Sequence, residues 1–335
     1  MDYRRLGHSG LKVSPLCLGT MTFGATTEEA TAARIVARAQ EQGVNFIDTA
    51  DVYVQGRSEE IVGRAIAGAR GWWVLATKFA DRTEPGPNGV GVSRRRAFRA
   101  VEASLKRLGT DVIDVRYLHK EDHDTPLAET VRAIADLIRQ GKIRHFGVSN
   151  YRGWRVGAIC ALCDEAGIDR PVVSQPYYNA LNRMPEVEHL PACRHFGLGV
   201  FPYSPLARGV LTGKYLPGAP PQADTRAGRQ DRRMMETEWR EESLRIAQTL
   251  AAHAAARGIT PGQFALAWLL DNRLVTGAVA GPRTAEQWDD YVGALAYRFT
   301  AEDAALVDRL VVPGHSSTPG YNDPAYPLEG HVSRV

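Results

Sequence analysis

The chain has 335 residues, 44% hydrophobic and 24% charged, enough apolar material for a large core in a globular protein. Its net charge of +3 is small for that length, so the composition calls for neither nucleic acid nor an anionic membrane as partner. The opening MDYRRLGHSGLKVSPLCLG lacks the apolar run of a signal peptide, and no stretch reaches the roughly 18 apolar residues of a membrane span. Four cysteines make no disulfide scaffold, so a reducing cytoplasm is the expected setting.

From the N-terminus, residues 1–12 read as a β-hairpin covering the bottom of whatever follows. Eight short apolar runs come next: VSPLCLG from Val13, VNFIDTA from Val44, WWVLATK from Trp72, DVIDVRYLH from Asp111, IRHFGVSN from Ile143, PVVSQPYYN from Pro171, GVFPYSPL from Gly199 and LVTGAVAG from Leu274. Helical patterns separate them, among them TTEEATAARIVARAQEQG, with a Thr cap and a stop at Gly43, and SRRRAFRAVEASLKRLG. Eight strands alternating with helices favour a (β/α)8 TIM barrel over an open doubly wound sheet, and residues 1–335 read as one such α/β domain. Two parts break the alternation. Residues 207–240, after the seventh strand, are Pro-, Gly- and Arg-rich, as a functional lid or mobile loop would be, and the tail 313–335 has no helical period.

In such a barrel the reactive side chains project from the C-terminal ends of the strands. Four polar residues fall there, each behind an apolar run: Asp48, Tyr53, Lys78 and His119. Together they make a proton-transfer unit. A tyrosine has an ordinary pKa of about 10, a lysine ammonium stabilises its phenolate, and an aspartate keeps that lysine charged. A histidine can then donate a hydrogen bond to a carbonyl oxygen and orient it for hydride delivery.

The segment NFIDTADVYVQGRSEEIVGRAI, with LATK, YLHKED and GKIRHFGVSN, resembles the aldo-keto reductase superfamily, as do LGTMTFG and FPYSPLARGVLTGKY. The match runs in order through nearly the whole chain, and the family's Asp, Tyr, Lys and His tetrad falls on Asp48, Tyr53, Lys78 and His119. The branch it resembles includes pyridoxal, aryl-aldehyde and keto-sugar reductases and the potassium-channel β subunits. The resemblance implies hydride transfer between a nicotinamide cofactor and a carbonyl or alcohol, with Tyr53 as proton donor. No GxGxxG follows the first strand, which argues against a Rossmann site.

The resemblance also implies where that cofactor lies. Gly19, Thr20 and Met21 would line the floor beside the nicotinamide, whose carboxamide Ser149, Asn150 and Gln175 would hold, and Tyr203 would stack on the ring. Ser204, Leu206, Gly209 and Lys214 would meet the pyrophosphate, and Gly281, Arg283, Gln287 and Asp290 the adenosine end. Arg283 suits a 2′-phosphate, which favours NADP(H) over NAD. Where the family often has Glu-Asn, this chain has Asp290-Tyr291, leaving Tyr291 to stack on adenine or pack against the barrel.

Other signals are read as structural. Cys160 and Cys163 sit on one helical turn facing the core, so no metal is assigned to them. The basic run Ser93 to Arg99 is read as a solvated helix face, and Trp72 and Trp73 as core. Trp154, Tyr178, Arg208, Arg226, Arg229 and Tyr321 are candidates to reach a small-molecule carbonyl or alcohol substrate, and no heptad assigns an oligomeric state. The competing reading is a cofactor-binding, redox-sensing regulatory subunit with little turnover. A metal-dependent barrel hydrolase lacks HxH or clustered Asp/His at strand ends.

Overall fold

Apolar runs punctuated by Gly, Pro and polar residues become eight parallel strands in the computed structural model, which describes residues 1–328. In chain order they are β1 (Leu16–Gly19), β2 (Phe46–Asp48), β3 (Val74–Phe79), β4 (Ile113–Leu118), β5 (Ile143–Ser149), β6 (Val173–Gln175), β7 (Gly199–Val200) and β8 (Ala278–Ala280). Sequence neighbours pair in the sheet, and β8 returns to β1 with Ala278 opposite Leu16 and Ala280 opposite Leu18. Main-chain bonds join the last two strands: Thr276 and Gly277 N–H donate to the Val200 carbonyl at 2.9 and 3.2 Å, and Val279 to that of Pro202 at 3.0 Å. This is the (β/α)8 barrel that the eight runs imply. Its centre is packed by Cys17, Phe46, Ala76, Val115, Tyr117, Val173 and Phe201, with Phe46 and Phe201 edge to face at 5.0 Å.

The hairpin forms as expected, Arg4–Arg5 pairing antiparallel with Lys12–Val13. It caps the N-terminal ends of the last three strands. His8 N–H donates to the Gly197 carbonyl at 2.9 Å, and Arg4 Nη1 to that of Thr276 at 3.0 Å. Gly7 is required at the contact. Its φ is +56°, and a Cβ there would lie 2.3 Å from the Val172 carbonyl oxygen.

The intervening helices are α1 (Glu29–Glu41), α2 (Arg57–Ile66), α3 (Arg94–Leu108), α4 (Leu127–Arg139), α5 (Gly153–Ala166) and α6 (His189–Phe196). The expected Thr cap on α1 is not made. Its N-cap is Glu28, without a side-chain cap bond, because the Thr27 hydroxyl is engaged with Thr22 Oγ1 at 3.0 Å. The expected stop at Gly43 is made, with φ +82°. The paired tryptophans also divide: Trp73 is buried, whereas Trp72 is 42% exposed and donates Nε1–H to the Val44 carbonyl at 2.9 Å.

The chain folds as two compact units. The first comprises Met1–Tyr177, Glu188–Tyr203 and Asn272–Val292, and holds the hairpin and all eight strands. The second comprises Tyr178–Val187, Ser204–Asp271 and the chain from Gly293 onward. It contains α7 (Arg232–Thr237), α8 (Glu241–Ala256) and α9 (Pro261–Asp271); α10 (Ala285–Gly293) follows β8 in the first unit, and α11 (Ala301–Leu310) lies in the second. The segment 207–240 is more regular than its composition implies. It carries a 3-10 stretch, Ala207–Thr212, and α7, which Asp231 caps by accepting from Met234 N–H at 2.9 Å. The first part of the tail is tied down within the second unit: Ser317 N–H donates to the Leu181 carbonyl at 2.8 Å, and Arg233 pairs with Asp323 at 2.6 Å. The remainder of the expected tail, 329–335, lies outside the described residues. Among the described residues no helix is long and apolar enough to cross a membrane.

Candidate active site

Three adjacent strands deliver the polar residues to one rim of the first unit. Asp48 is the last residue of β2, Lys78 the penultimate of β3, and His119 follows β4 directly, its N–H donating to the Phe79 carbonyl at 3.0 Å. All three hydrogens of the buried Lys78 ammonium are placed: one on Asp48 Oδ1, one on the Thr49 carbonyl at 2.9 Å, one on Tyr53 Oη at 3.2 Å. The other Asp48 oxygen accepts from Gln175 Nε2 at 3.1 Å. The result is a chain of contacts from Gln175 through Asp48 and Lys78 to the Tyr53 phenol.

The electrostatics follow from burial set against pairing. Burial pulls Lys78 down, but Asp48 and Tyr53 outweigh it and leave its pKa above the ordinary value, so it stays an ammonium. Burial pushes Asp48 up, partly offset by Lys78 and Gln175. For Tyr53 burial is the largest influence. The Lys78 ammonium lowers the phenol pKa, as expected from sequence, but the net shift is upward because burial and the Asp48 charge oppose it. The imidazole of His119 stands edge-on to the Tyr53 ring, centroids 5.9 Å apart, and is 15% exposed. Burial, then the cations Lys78, Lys120 and Arg116, push it down to about 3 against the pull of Asp81, so it is neutral at physiological pH.

Tyr53 stands at the start of an unusual turn. Val54 (φ 49°), Gln55 (φ 56°) and Gly56 (φ 90°) are all left-handed. Only glycine adopts this freely, and each side-chain-bearing residue held there costs about 1–3 kcal/mol. At Gly56 a Cβ would come within 2.8 Å of the Arg107 side chain, whose Nε is fixed on the buried Glu59 at 2.7 Å. Strain of this kind persists only where the surroundings impose it.

Of the residues assigned by resemblance to the carboxamide and ring, Ser149, Asn150, Gln175 and Tyr203 do come together. Ser149 Oγ donates to the Gln175 carbonyl at 2.8 Å, and Tyr203 Oη donates to Asn150 Oδ1 at 2.8 Å. Asn150 Nδ2 lies 2.9 Å from the His119 carbonyl and 3.1 Å from Ser149 Oγ. The half-buried Tyr203 ring is stacked on Tyr177, centroids 5.7 Å apart. The chemistry of this set fits a nicotinamide. A carboxylate only accepts, so Asp48 fixes which end of the Gln175 amide faces it, and the amide oxygen is the end left for a carboxamide N–H.

The other assigned residues are placed as follows. Gly19 ends β1, with room for a Cβ closed off by Val279 at 2.9 Å. Thr20 is buried and its hydroxyl donates to the Asp48 carbonyl at 2.9 Å, while Met21 is 41% exposed. Gly281 is exposed, Gln287 Oε1 accepts the Arg283 main-chain N–H at 2.9 Å, and Arg283 and Asp290 are half-buried. Tyr291 is buried, which favours packing over stacking on a ligand. In the second unit Ser204 and the run Ala207, Arg208 and Gly209 are left-handed. A Cβ on Gly209 would lie 3.1 Å from the Lys214 ammonium, and Leu206 is buried with its carbonyl accepting from Gly209 at 2.8 Å. Tyr178, a candidate for the substrate, is buried against Trp268 at 5.3 Å and donates to Glu186 at 2.7 Å, so it reaches none; Trp154 is 62% exposed.

Sequence reading passed over three residues around the tetrad. Asp81 Oδ2 lies 3.2 Å from His119 Nδ1 and its other oxygen 2.5 Å from Lys120 Nζ. Asp51 and Arg96 form a fully buried ion pair at 2.7 Å. Arg96 corrects the reading of the basic run as a solvated face: Arg94, Arg95 and Arg99 are exposed, but Arg96 points inward. Its only sequence signal is the apolar spacing it shares with Ala97, Ala100 and Val101 on the buried face of α3. Cys160 and Cys163 are buried in α5, and burial raises their thiols to about 11 and about 12.

A profile of the aldo/keto reductase family matches residues 15–312. A probable voltage-gated potassium channel subunit beta of Arabidopsis thaliana is 37% identical over 301 residues, covering 88% of this chain and 91% of that protein. The uncharacterized oxidoreductase YrpG of Bacillus subtilis is 36% identical over 330 residues, covering 95% and 98%. The L-glyceraldehyde 3-phosphate reductase of Escherichia coli (strain K12) is 34% identical over 329 residues, covering 94% and 93%. With a barrel of the expected topology and a match over most of its length, the chain belongs to the aldo/keto reductase family.

Proposed function

We propose that this protein is a cytoplasmic, NADP(H)-dependent oxidoreductase that interconverts small aldehydes or ketones and alcohols, with the barrel and its extra segments working as one domain. The observation that carries the reading is the run of contacts from Asp48 through Lys78 to Tyr53, with His119 beside the phenol. When bound, the nicotinamide supplies or takes the hydride at the carbonyl carbon. Tyr53 gives its proton to the carbonyl oxygen in reduction and recovers it in oxidation. Lys78 stabilises the phenolate left behind, and Asp48 holds Lys78 charged and in place. Neutral His119 orients the oxygen by hydrogen bonding.

For the cofactor, Ser149, Asn150 and Gln175 serve the carboxamide, Tyr203 the ring, and Gly19, Thr20 and Met21 the floor. Ser204, Leu206, Gly209 and Lys214 serve the pyrophosphate. Gly281, Arg283, Gln287 and Asp290 serve the adenosine end, with Arg283 selecting the 2′-phosphate over NAD. Support comes from the family match and from relatives named as reductases.

A second reading, a redox-sensing regulatory subunit, is favoured by one observation, the plant relatives named as probable channel β subunits. The two separate on turnover. NADPH oxidation with a panel of small aldehydes should be rapid in the wild type, and Tyr53→Phe should lower it about 100-fold or more while leaving NADPH affinity intact. Wild-type activity in the variant removes Tyr53 from the proposed role. Tight NADPH binding without turnover of any aldehyde by the wild type favours the regulatory reading.

A further inference from the structure

Arg96 stands in the first turn of α3, where a cation is opposed by the helix dipole, and yet its side chain is only 1% exposed. A buried guanidinium in an unfavourable place is held there by its partners. One of its nitrogens, Nη2, donates to Asp51 Oδ2 and to Thr83 Oγ1, each at 2.7 Å, and lies 3.4 Å from the Asp81 carbonyl oxygen. These partners belong to two different loops. Asp51 is in the loop after β2, two residues before Tyr53, and its N–H donates to the Lys78 carbonyl at 3.1 Å. Asp81 and Thr83 are in the loop after β3, and the Asp81 carboxylate stands 3.2 Å from His119 Nδ1. The guanidinium therefore ties the loop that carries the phenol to the loop whose Asp81 carboxylate faces the imidazole.

Such a tie adds to the turn's own main-chain bonds, Tyr53 N–H to the Ala50 carbonyl and Gln55 N–H to that of Val52, each at 3.2 Å. The turn's left-handed residues, Val54 and Gln55, run against their local preference. Arg107 and Glu59 support the far end of the turn at Gly56, and Asp51 is the anchor at the near end. We propose that Arg96 is a positioning residue for proton transfer, fixing Tyr53 relative to His119 by clamping the two loops together. The proposal rests on the functional reading of those two residues given above. It assigns a role in the reaction to a side chain that touches none of the reacting atoms.

Truncation should slow chemistry without weakening cofactor binding. Arg96→Met is expected to lower kcat for a small aldehyde by about tenfold or more, with the NADPH Kd, read by protein fluorescence, within about twofold of wild type. In the protein without cofactor, deuterium exchange at residues 50–56 and 81–84 should rise together. Arg96→Met should also lose some Tm, because it leaves the buried Asp51 carboxylate without its ion-pair partner, and the charge of Arg116 offsets this only in part. Thr83→Val keeps the ion pair and removes one contact, and should cost a several-fold drop in kcat at unchanged Tm.

The double variant Arg96→Met with Asp51→Asn separates positioning from charge burial. It should regain Tm but not kcat. Recovery of both, or exchange that rises around α3 alone, would overturn the proposal. If the wild type reduces no aldehyde, the functional reading fails, and the exchange measurement still decides whether Arg96 clamps the two loops.

Discussion

At the scale of single residues, the site depends on a competition between burial and pairing. Lys78 is fully buried and keeps its charge because three acceptors surround it, and that charge acts on Tyr53 across 3.2 Å. Burial nevertheless prevails at the phenol and raises its pKa. The sign of the pH dependence follows. With its pKa above the ordinary value of about 10, Tyr53 keeps its proton through neutral pH and somewhat beyond. Reduction, which uses that proton, should be flat from about pH 6 to 9 and fall only on the alkaline side. Oxidation needs the phenolate and should rise over the same alkaline interval. His119, pushed down to about 3, should add no limb between pH 5 and 8. Profiles of kcat/KM in both directions check this, and a limb near pH 6.5 that vanishes in His119→Asn would contradict it.

At the scale of elements, each piece is legible where local chemistry decides it and opaque where a distant partner does. The Gly43 stop of α1 is local. The failed Thr cap is not, since Thr27 is drawn off by Thr22 in the preceding loop. α11 shows a cap reinforced by long-range contacts. Thr300 and Asp303 form a reciprocal capping box, while Asp303 also accepts from Tyr297 Oη at 2.9 Å and faces His253 Nε2 at 2.6 Å. These donors hold the Asp303 carboxyl at about 2 although burial works against them. A folded-state pKa below the unfolded one means the stabilisation is present above the unfolded value of about 3.9 and is lost as pH falls toward 2. Asp303→Ala should lower stability by about 1–3 kcal/mol at pH 7. The deficit should shrink as the pH of the denaturant titration is taken down through 4 and 3, and a deficit independent of pH would assign it to packing alone.

At the scale of the whole molecule, a ligand that binds only the folded chain must stabilise it by mass action. NADPH at about 100 times its Kd should add about 2.7 kcal/mol and raise Tm by several degrees. NAD at the same concentration should do less, because it lacks the 2′-phosphate proposed for Arg283. In Arg283→Ala the difference between the two cofactors should narrow, and a thermal-shift series with both checks it. Equal shifts by NAD and NADPH in the wild type would remove Arg283 from that role.

The barrel is legible in the sequence because it is written in short-range form, apolar runs at strand length with helices between, whereas the four proposed site residues are marked out by the family-like motifs around them. Which of those polar groups touch depends on contacts between distant parts of the chain. Asp48, Lys78 and Gln175 come from three strands that are up to 127 residues apart and meet only on closure of the barrel. The same holds for Arg96, which turns inward from a basic run while Arg94, Arg95 and Arg99 remain in water, and for Tyr178, a candidate for the substrate that is buried. Period and propensity report which face of an element is apolar, whereas the pairing that lets a charge be buried is set by side chains far away in the chain.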